Sequence, residues 1–317
     1  MIRTLIAVCT LILSLAASAQ GYPSAPINLI IPLAPGDATD LAARAVAEEL
    51  SRELKTPVVP VNRPGAGGAI GTDITVKAAK DGYTLVLTNN AALVFRSIMD
   101  PKSASYDPFR DLAPLGLGMR SPSILAVGGG QPFRDWREMV DYAKKNPGKV
   151  RIGTAGVGSV GDFCVQTVNS LTGAGLVMVP FQGAAPAVTA MRGGHIEGVV
   201  LALGTMTAHL KSGAVRGIVI SDKWADFPDI PTMRELGYAE NLFGIWAAFF
   251  APAGVPSEVT ARLVPALERA IRSPAIGARL KPLGILADYA APEALLAEMR
   301  DEHRRVAVIA KKAGLVK

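Results

Sequence analysis

The sequence predicts an α/β protein of two domains, each a mostly parallel sheet flanked by helices. Three observations carry this. Short apolar runs alternate with helix-length amphipathic segments over residues 29–88, and such alternation builds parallel sheets with right-handed crossovers. A second alternation occupies 150–221, after a change of texture near Leu115 where Gly116, Gly118 and Pro122 precede an extended segment at 124–127. Two helical segments at 257–272 and 292–313 read as packing for the first unit. The chain would then cross between domains twice, which implies a hinge. Expected boundaries are 20–121 with 222–317 for the first domain and 122–221 for the second.

The organising stretch is 28–54. Leu29, Ile30, Ile31 and Leu33 form a continuous apolar run, the pattern of an interior strand buried on both faces. A Pro35-Gly36 turn follows, then Thr39 as the expected N-cap, Asp40 in the first turn, and a helix turning Leu41, Ala45, Val46, Leu50 and Leu54 inward. A helix start at the carboxyl end of a buried strand presents backbone N–H groups that can hold an anion.

Downstream, 57–61 reads as a second strand, and residues 62–68 (NRPGAGG) open a helix ending near Lys80. Asp81-Gly82 turns the chain into a strand over 83–88. The glycines do not make a dinucleotide fingerprint, because a G-x-G-x-x-G begun at Gly65 meets Ile70 where glycine is required. A tight turn accounts for them. In the second unit a helix over 134–146 precedes a strand at 150–153. Ser159 and Asp162 have capping-box spacing for a helix through Leu171. Strands at 176–179, 196–203 and 215–221 alternate with helices from Pro186 and over 205–211. A short helix at 232–236 and a strand at 244–251 containing Trp246 lead to the last two helices, where Pro265 should kink the first.

Composition gives an ordinary globular protein: 317 residues, 50% hydrophobic and 19% charged. The first residues differ. Arg3, the apolar run 5–15 and the small-x-small Ala17-Ser18-Ala19 read as a signal peptide cleaved after Ala19, so export to the periplasm is expected and the mature chain begins at Gln20. The run is shorter than the roughly 20 residues of a spanning helix, and Cys9 lacks the small preceding residue of a lipid-modified cysteine. Cleavage leaves Cys164 alone, a buried core residue without a disulfide partner. Removing Arg3 lowers the formal charge from +6 to +5. Lys and Arg are scattered without interleaved aromatics, which argues against nucleic acid. Arg300, Arg304, Arg305, Lys311 and Lys312 read as the solvated face of a C-terminal helix.

Polar and glycine residues gather at four strand ends: Thr39 and Asp40; Thr88, Asn89 and Asn90; 154–159; and Gln182-Gly183. In parallel sheets that edge binds ligands. Neutral hydrogen-bonding groups with helix starts suit holding a small polar or anionic molecule without transforming it. Catalytic patterns are lacking. His195, His209 and His303 are dispersed, Ser159 has Val157 where a nucleophile elbow needs glycine, and no phosphate loop or metal spacing occurs. No cofactor, metal or reaction is expected.

Several stretches together resemble the Bug family, the TctC-like solute receptors of tripartite tricarboxylate transporters. They are Tyr22-Pro23, Pro35-Gly36 with Thr39-Asp40, residues 62–68, Asp81-Gly82-Tyr83, Tyr106-Asp107-Pro108, residues 153–159, Val179-Pro180-Phe181-Gln182-Gly183 with Pro186, and residues 251–256. The resemblance implies a two-domain periplasmic-binding-protein clamshell, or Venus flytrap. It would be a monomer that closes on a small carboxylate-type solute and delivers it to transporter membrane subunits. Contacts would come from Pro35, Gly36, Asp37, Ala38, Thr39 and Asp40 and, in the facing loop, Thr154, Ala155, Gly156, Gly158 and Ser159. The strand ends add Thr88, Asn89, Asn90, Phe181, Gln182 and Gly183. A receptor subunit for a signalling partner is the alternative, and an exported hydrolase a weaker one.

The chain departs from the family pattern at Asp37 and Ala38, where glycines are common, at Asp162, where histidine is frequent, and at Leu201, where a strand-end aspartate is frequent. An Asp37 carboxylate about 4 Å from a ligand carboxylate would repel it by roughly 4 kcal/mol at an effective dielectric near 20, about a thousandfold in affinity. Either Asp37 turns to solvent, or the ligand brings an amine or amide there. A plain turn residue at Asp37 and a plain cap at Asp162 are the alternatives.

Overall fold

A computed structural model of the protein describes residues 21–101 and 105–316. The expected signal peptide lies outside the described residues. β1 (Ile27–Ile31) runs parallel to β2 (Val58–Asn62) on one side and β3 (Thr84–Asn89) on the other, making it the interior strand its apolar run predicts. Helix α1 (Ala38–Leu54) covers it, burying Ala42, Ala43, Ala45, Val46, Leu50 and Leu54, while Leu41 stays half-buried. Thr39 is not the N-cap. Asp37 holds that position, extended at φ −65° and ψ 154°, because its carboxylate accepts from the Thr39 N–H at 2.9 Å.

The chain continues through α2 (Ala69–Val76), which ends before Lys80, and β3, then a π-helical turn (Ala91–Phe95) and α3 (Arg96–Met99). β4 (Leu112–Ser121) belongs to the first sheet and β5 (Ser123–Gly128) to the second, so the first crossing occupies Pro122 alone. The second unit follows as α4 (Trp136–Lys145), β6 (Arg151–Thr154), α5 (Val160–Thr172), β7 (Val177–Pro180), α6 (Ala184–Arg192), β8 (Gly198–Ala202), α7 (Leu203–Lys211) and β9 (Val215–Ile220). The return passes through 221–244 into β10 (Ile245–Pro252), α8 (Ser257–Ile271), α9 (Pro274–Leu280), β11 (Leu286–Ala287) and α10 (Pro292–Lys312).

The strands form a six-stranded sheet ordered β11-β4-β10-β3-β1-β2 and a five-stranded one ordered β7-β6-β8-β5-β9. This is the two-sheet α/β clamshell expected, but the sheets are mixed rather than mostly parallel. Only β1 with its two neighbours and β6 with its two neighbours pair in parallel; β4, β5, β9, β10 and β11 make their pairings antiparallel. A parallel neighbour needs a crossover connection. β5 and β10 arrive directly from the other sheet, so they run against the strands they join.

The two crossings lie side by side: the Ser123 N–H donates to Ser221 Oγ at 3.0 Å, and Ser123 Oγ donates to the Phe243 carbonyl at 2.6 Å. Phe95 of the first unit, Phe163 of α5 and Phe243 of the return pack edge to face, centroids 5.1–5.5 Å apart. Cys164 is buried beside them, as expected. The helix anticipated at 232–236 is a turn, closed by Leu236 N–H to Thr232 O and stopped at Gly237 with φ +87°; one turn does not repay helix nucleation. The basic residues of α10 are exposed, Arg304 and Arg305 pairing with Asp301. Among the described residues no helix is long and apolar enough to cross a membrane.

Candidate functional site

The loop after β1 and the loop after β6 are built alike. In the first, Gly36 adopts φ +82° and its N–H donates to Asp40 Oδ2 at 2.9 Å. In the second, Gly158 adopts φ +74° and its N–H donates to Asp162 Oδ2 at 2.9 Å. Each aspartate thus folds its loop back over its helix start. Asp40 is further held by Arg44 Nε at 3.0 Å and Asn62 Nδ2 at 2.8 Å. Ser159 caps α5, its Oγ accepting from the Asp162 N–H at 3.2 Å as the capping-box spacing predicts.

The two loops face each other, tied across by neighbouring segments: Ala38 N–H donates to Thr205 Oγ1 of α7 at 3.3 Å, and a Cβ on Gly67, in the loop after β2, would lie 3.6 Å from the Ser159 nitrogen. Between them is a cavity of about 30 Å³, lined by Leu33, Asp37, Gly67, Asn89, Ala155, Ser159, Val160, Gly161, Val200, Leu201, Ala202 and Ile245. Its walls come from the ends of β1, β3, β6 and β8, as a ligand site at strand carboxyl ends requires. A larger groove, about 830 Å³, runs along the crossings and α10 between Arg120, Trp224, Trp246 and Glu302, touching the small cavity's lining at Ile245.

A family model described as the tripartite tricarboxylate transporter family receptor matches residues 42–315. The chain belongs to this family. It is 33% identical over 299 residues to the protein BugT of Bordetella pertussis, a match covering 94% of this chain and 92% of that one. The periplasmic binding protein BugD superposes with a TM-score of 0.88 at 32% identity, covering 93% of this chain and all of BugD. MatC from Rhodopseudomonas palustris, whose structure contains bound malate, gives 0.85 at 29% identity, covering 91% of this chain and 99% of MatC.

Of the residues the sequence singled out in this receptor, Asp37, Asn89, Ala155, Ser159 and Leu201 line the small cavity. Pro35, Gly36, Ala38, Thr39, Asp40, Thr154, Gly156, Gly158 and Asp162 shape the loops behind them without lining it. Thr88 turns to the interior, its Oγ1 2.7 Å from Thr72 Oγ1. Asn90 faces away, its Nδ2 donating to the Gly244 carbonyl at 3.0 Å and Glu302 Oε1 at 3.2 Å. Phe181 packs in the second unit's core, Gln182 is exposed, and Gly183 approaches Ala34. Sequence reasoning missed the apolar lining residues Leu33, Val200, Ala202 and Ile245, and also Gly67, Val160 and Gly161. For the last three the signal was present: Gly67 lies in the loop following β2, and Val160 and Gly161 are the first two helical residues after the cap.

Asp37 and Asp162 part company here. Asp162 is spent within its own loop. Asp37 opens on the cavity at 9% exposure, and burial pushes its carboxyl up to about 6, against the hydrogen bonding of Thr39, with Asp40 raising it further. Among the described residues no Lys, Arg or His nitrogen pairs with it.

Proposed function

We propose that this chain is a periplasmic receptor that captures a small carboxylate-type or amine- or amide-bearing solute between its two lobes and delivers it to the membrane subunits of a tripartite tricarboxylate-type transporter. The observation that carries the reading is the meeting of two matched loop-and-helix starts, from separate sheets, across one small cavity. Such an arrangement opens and closes about paired crossings, here Pro122 and residues 221–244. Residues 20–121 with 222–317 then act as one lobe and 122–221 as the other. Closure removes a captured solute from water, which strengthens each polar contact made to it. The protein acts as a monomer, since both halves of the site come from one chain, and it carries out no reaction.

Thermal unfolding of the chain from Gln20, run against carboxylates, amino acids and amides at pH 7.5, tests capture. A ligand at a hundred times its dissociation constant adds about 2.7 kcal/mol, which moves the midpoint by several degrees. N-terminal sequencing of the periplasmic fraction tests export and cleavage after Ala19. Uptake of the bound solute in cells with and without the gene tests delivery. A chain retained in the cytoplasm, or one stabilised by no member of the panel, refutes the reading.

A further inference from the structure

The cavity is electrically lopsided. On the second lobe, the N–H groups of Val160 and Gly161 find no acceptor among the described residues, and they lie in the first turn of α5, a thirteen-residue helix. Asp162 already places one carboxylate over that helix start, on the Gly158 N–H, and the two free N–H groups remain to take a ligand carboxylate. On the first lobe, the corresponding helix start is already occupied by the protein itself. Asp37 Oδ1 accepts the Thr39 N–H, Thr205 Oγ1 accepts the Ala38 N–H, and Asp40 accepts the Gly36 N–H. The Asp37 carboxylate therefore sits where a second ligand anion would have gone, nine-tenths buried and without a basic partner among the described residues. Repulsion disfavours a second carboxylate there, and an N–H donor, above all an ammonium, would relieve a buried charge.

We infer that Asp37 makes this cleft selective for amino carboxylates, the carboxylate bound at the α5 start and the ammonium at Asp37. The inference rests on the receptor reading and narrows its ligand class. Three features combine in it: an anionic cap on one helix, a neutral Ser159 cap on the other, and a lining otherwise free of ionisable side chains. The charges behind the lining are engaged elsewhere: Asp40 is turned to Gly36, Arg44 and Asn62, Asp162 to Gly158, and Arg96 Nη1 donates to the Ala66 carbonyl at 3.3 Å.

The test is calorimetric titration of the chain from Gln20 with paired probes that differ by one amino group: aspartate against succinate, glutamate against glutarate, and γ-aminobutyrate against butyrate. D37N keeps a side-chain cap, since Asn and Asp cap helices about equally, while removing the charge; D37G removes both. The expected result is at least one aminated probe bound about tenfold or more above its partner, about 1.4 kcal/mol, with that preference lost in D37N and D37G. The wild-type preference also weakens below pH 6, and the D37N affinities do not change there. Equal binding of both members, unchanged by D37N, overturns the inference and leaves the receptor reading standing, as does binding of dicarboxylates alone. Failure of wild type and both variants to bind any probe overturns both.

Discussion

Glu302 gives the sharpest prediction about stability. It lies on α10 at 3% exposure, with Oε2 accepting from Trp246 Nε1 at 2.7 Å and Oε1 from Asn90 Nδ2 at 3.2 Å. Burial pushes its carboxyl from the ordinary 4.5 up to about 7, against those two donors and Arg305 one turn on, with Glu298 one turn back adding to the rise. Because the folded state holds this proton more tightly, stability from this group is complete below pH 4.5 and is lost as pH rises through 7. The gap corresponds to roughly 3 kcal/mol once Glu302 is ionised in both states. Replacing it with Gln removes the charge. The amide oxygen can still accept from Trp246, but its NH2 then faces the Asn90 NH2, so the contact is kept only if Asn90 turns its amide to offer Oδ1, at the expense of its bond to the Gly244 carbonyl. Glu302→Gln should therefore unfold at a higher temperature than wild type at pH 8, by about 5 °C for a chain of this size, with the advantage gone or reversed at pH 4.5. Scanning calorimetry of both proteins from pH 4.5 to 8 reads this directly. A difference in midpoint that does not vary with pH would refute the reasoning, because a lost hydrogen bond is nearly pH-independent and a buried charge is not.

Asp37→Asn should show the same sign in a lower window: a gain of roughly 3 kcal/mol at pH 7.5 that fades as pH falls from 6 to 4, read by denaturant unfolding. Gly161→Ala would put a Cβ 2.4 Å from the Val200 carbonyl oxygen, so the α5 start must shift off β8. A loss of about 1–3 kcal/mol is expected, with weaker solute binding, and a variant of wild-type stability would contradict the packing. Cys164 is buried at 1% exposure, with its thiol pushed up to about 11. Iodoacetamide at pH 8 should leave it unmodified in the native protein and label it in guanidinium, with mass spectrometry counting the adducts.

The fold was legible wherever one local signal decided an element. The run at 29–33 is buried by strands on both sides, and Ser159 with Asp162 caps its helix as spaced. The sheets' mixed character was not legible, because strand direction depends on which sheet the chain has just left, and nothing within β5 or β10 encodes that. The N-cap at Asp37 was misassigned to Thr39 because both residue types cap helices; backbone conformation two residues earlier decides between them. Half of the cavity was missed for a related reason. Polar side chains drew attention to Gln182, which is exposed, and Asn90, which faces Gly244 and Glu302, whereas Gly67 and Gly161 contribute backbone, whose signal is position in a loop or after a cap and not polarity.

The likeness of the two loops turns that difficulty into an argument about specificity. Both lobes spend an aspartate on the same internal bond, Gly36 to Asp40 and Gly158 to Asp162 at the same 2.9 Å, so neither of those carboxylates is available to a ligand. What differs is the cap. A serine is neutral at every accessible pH and adds no charge at the α5 start beyond that of Asp162, whereas an aspartate cap adds a second anion at the α1 start beside Asp40. Two receptors could share every strand and loop and still take different solutes by exchanging that one residue. In such a cleft, specificity follows the charge at the cap more than the shape of the pocket, which is why the titration of Asp37 and the amino group of the solute belong to a single equilibrium.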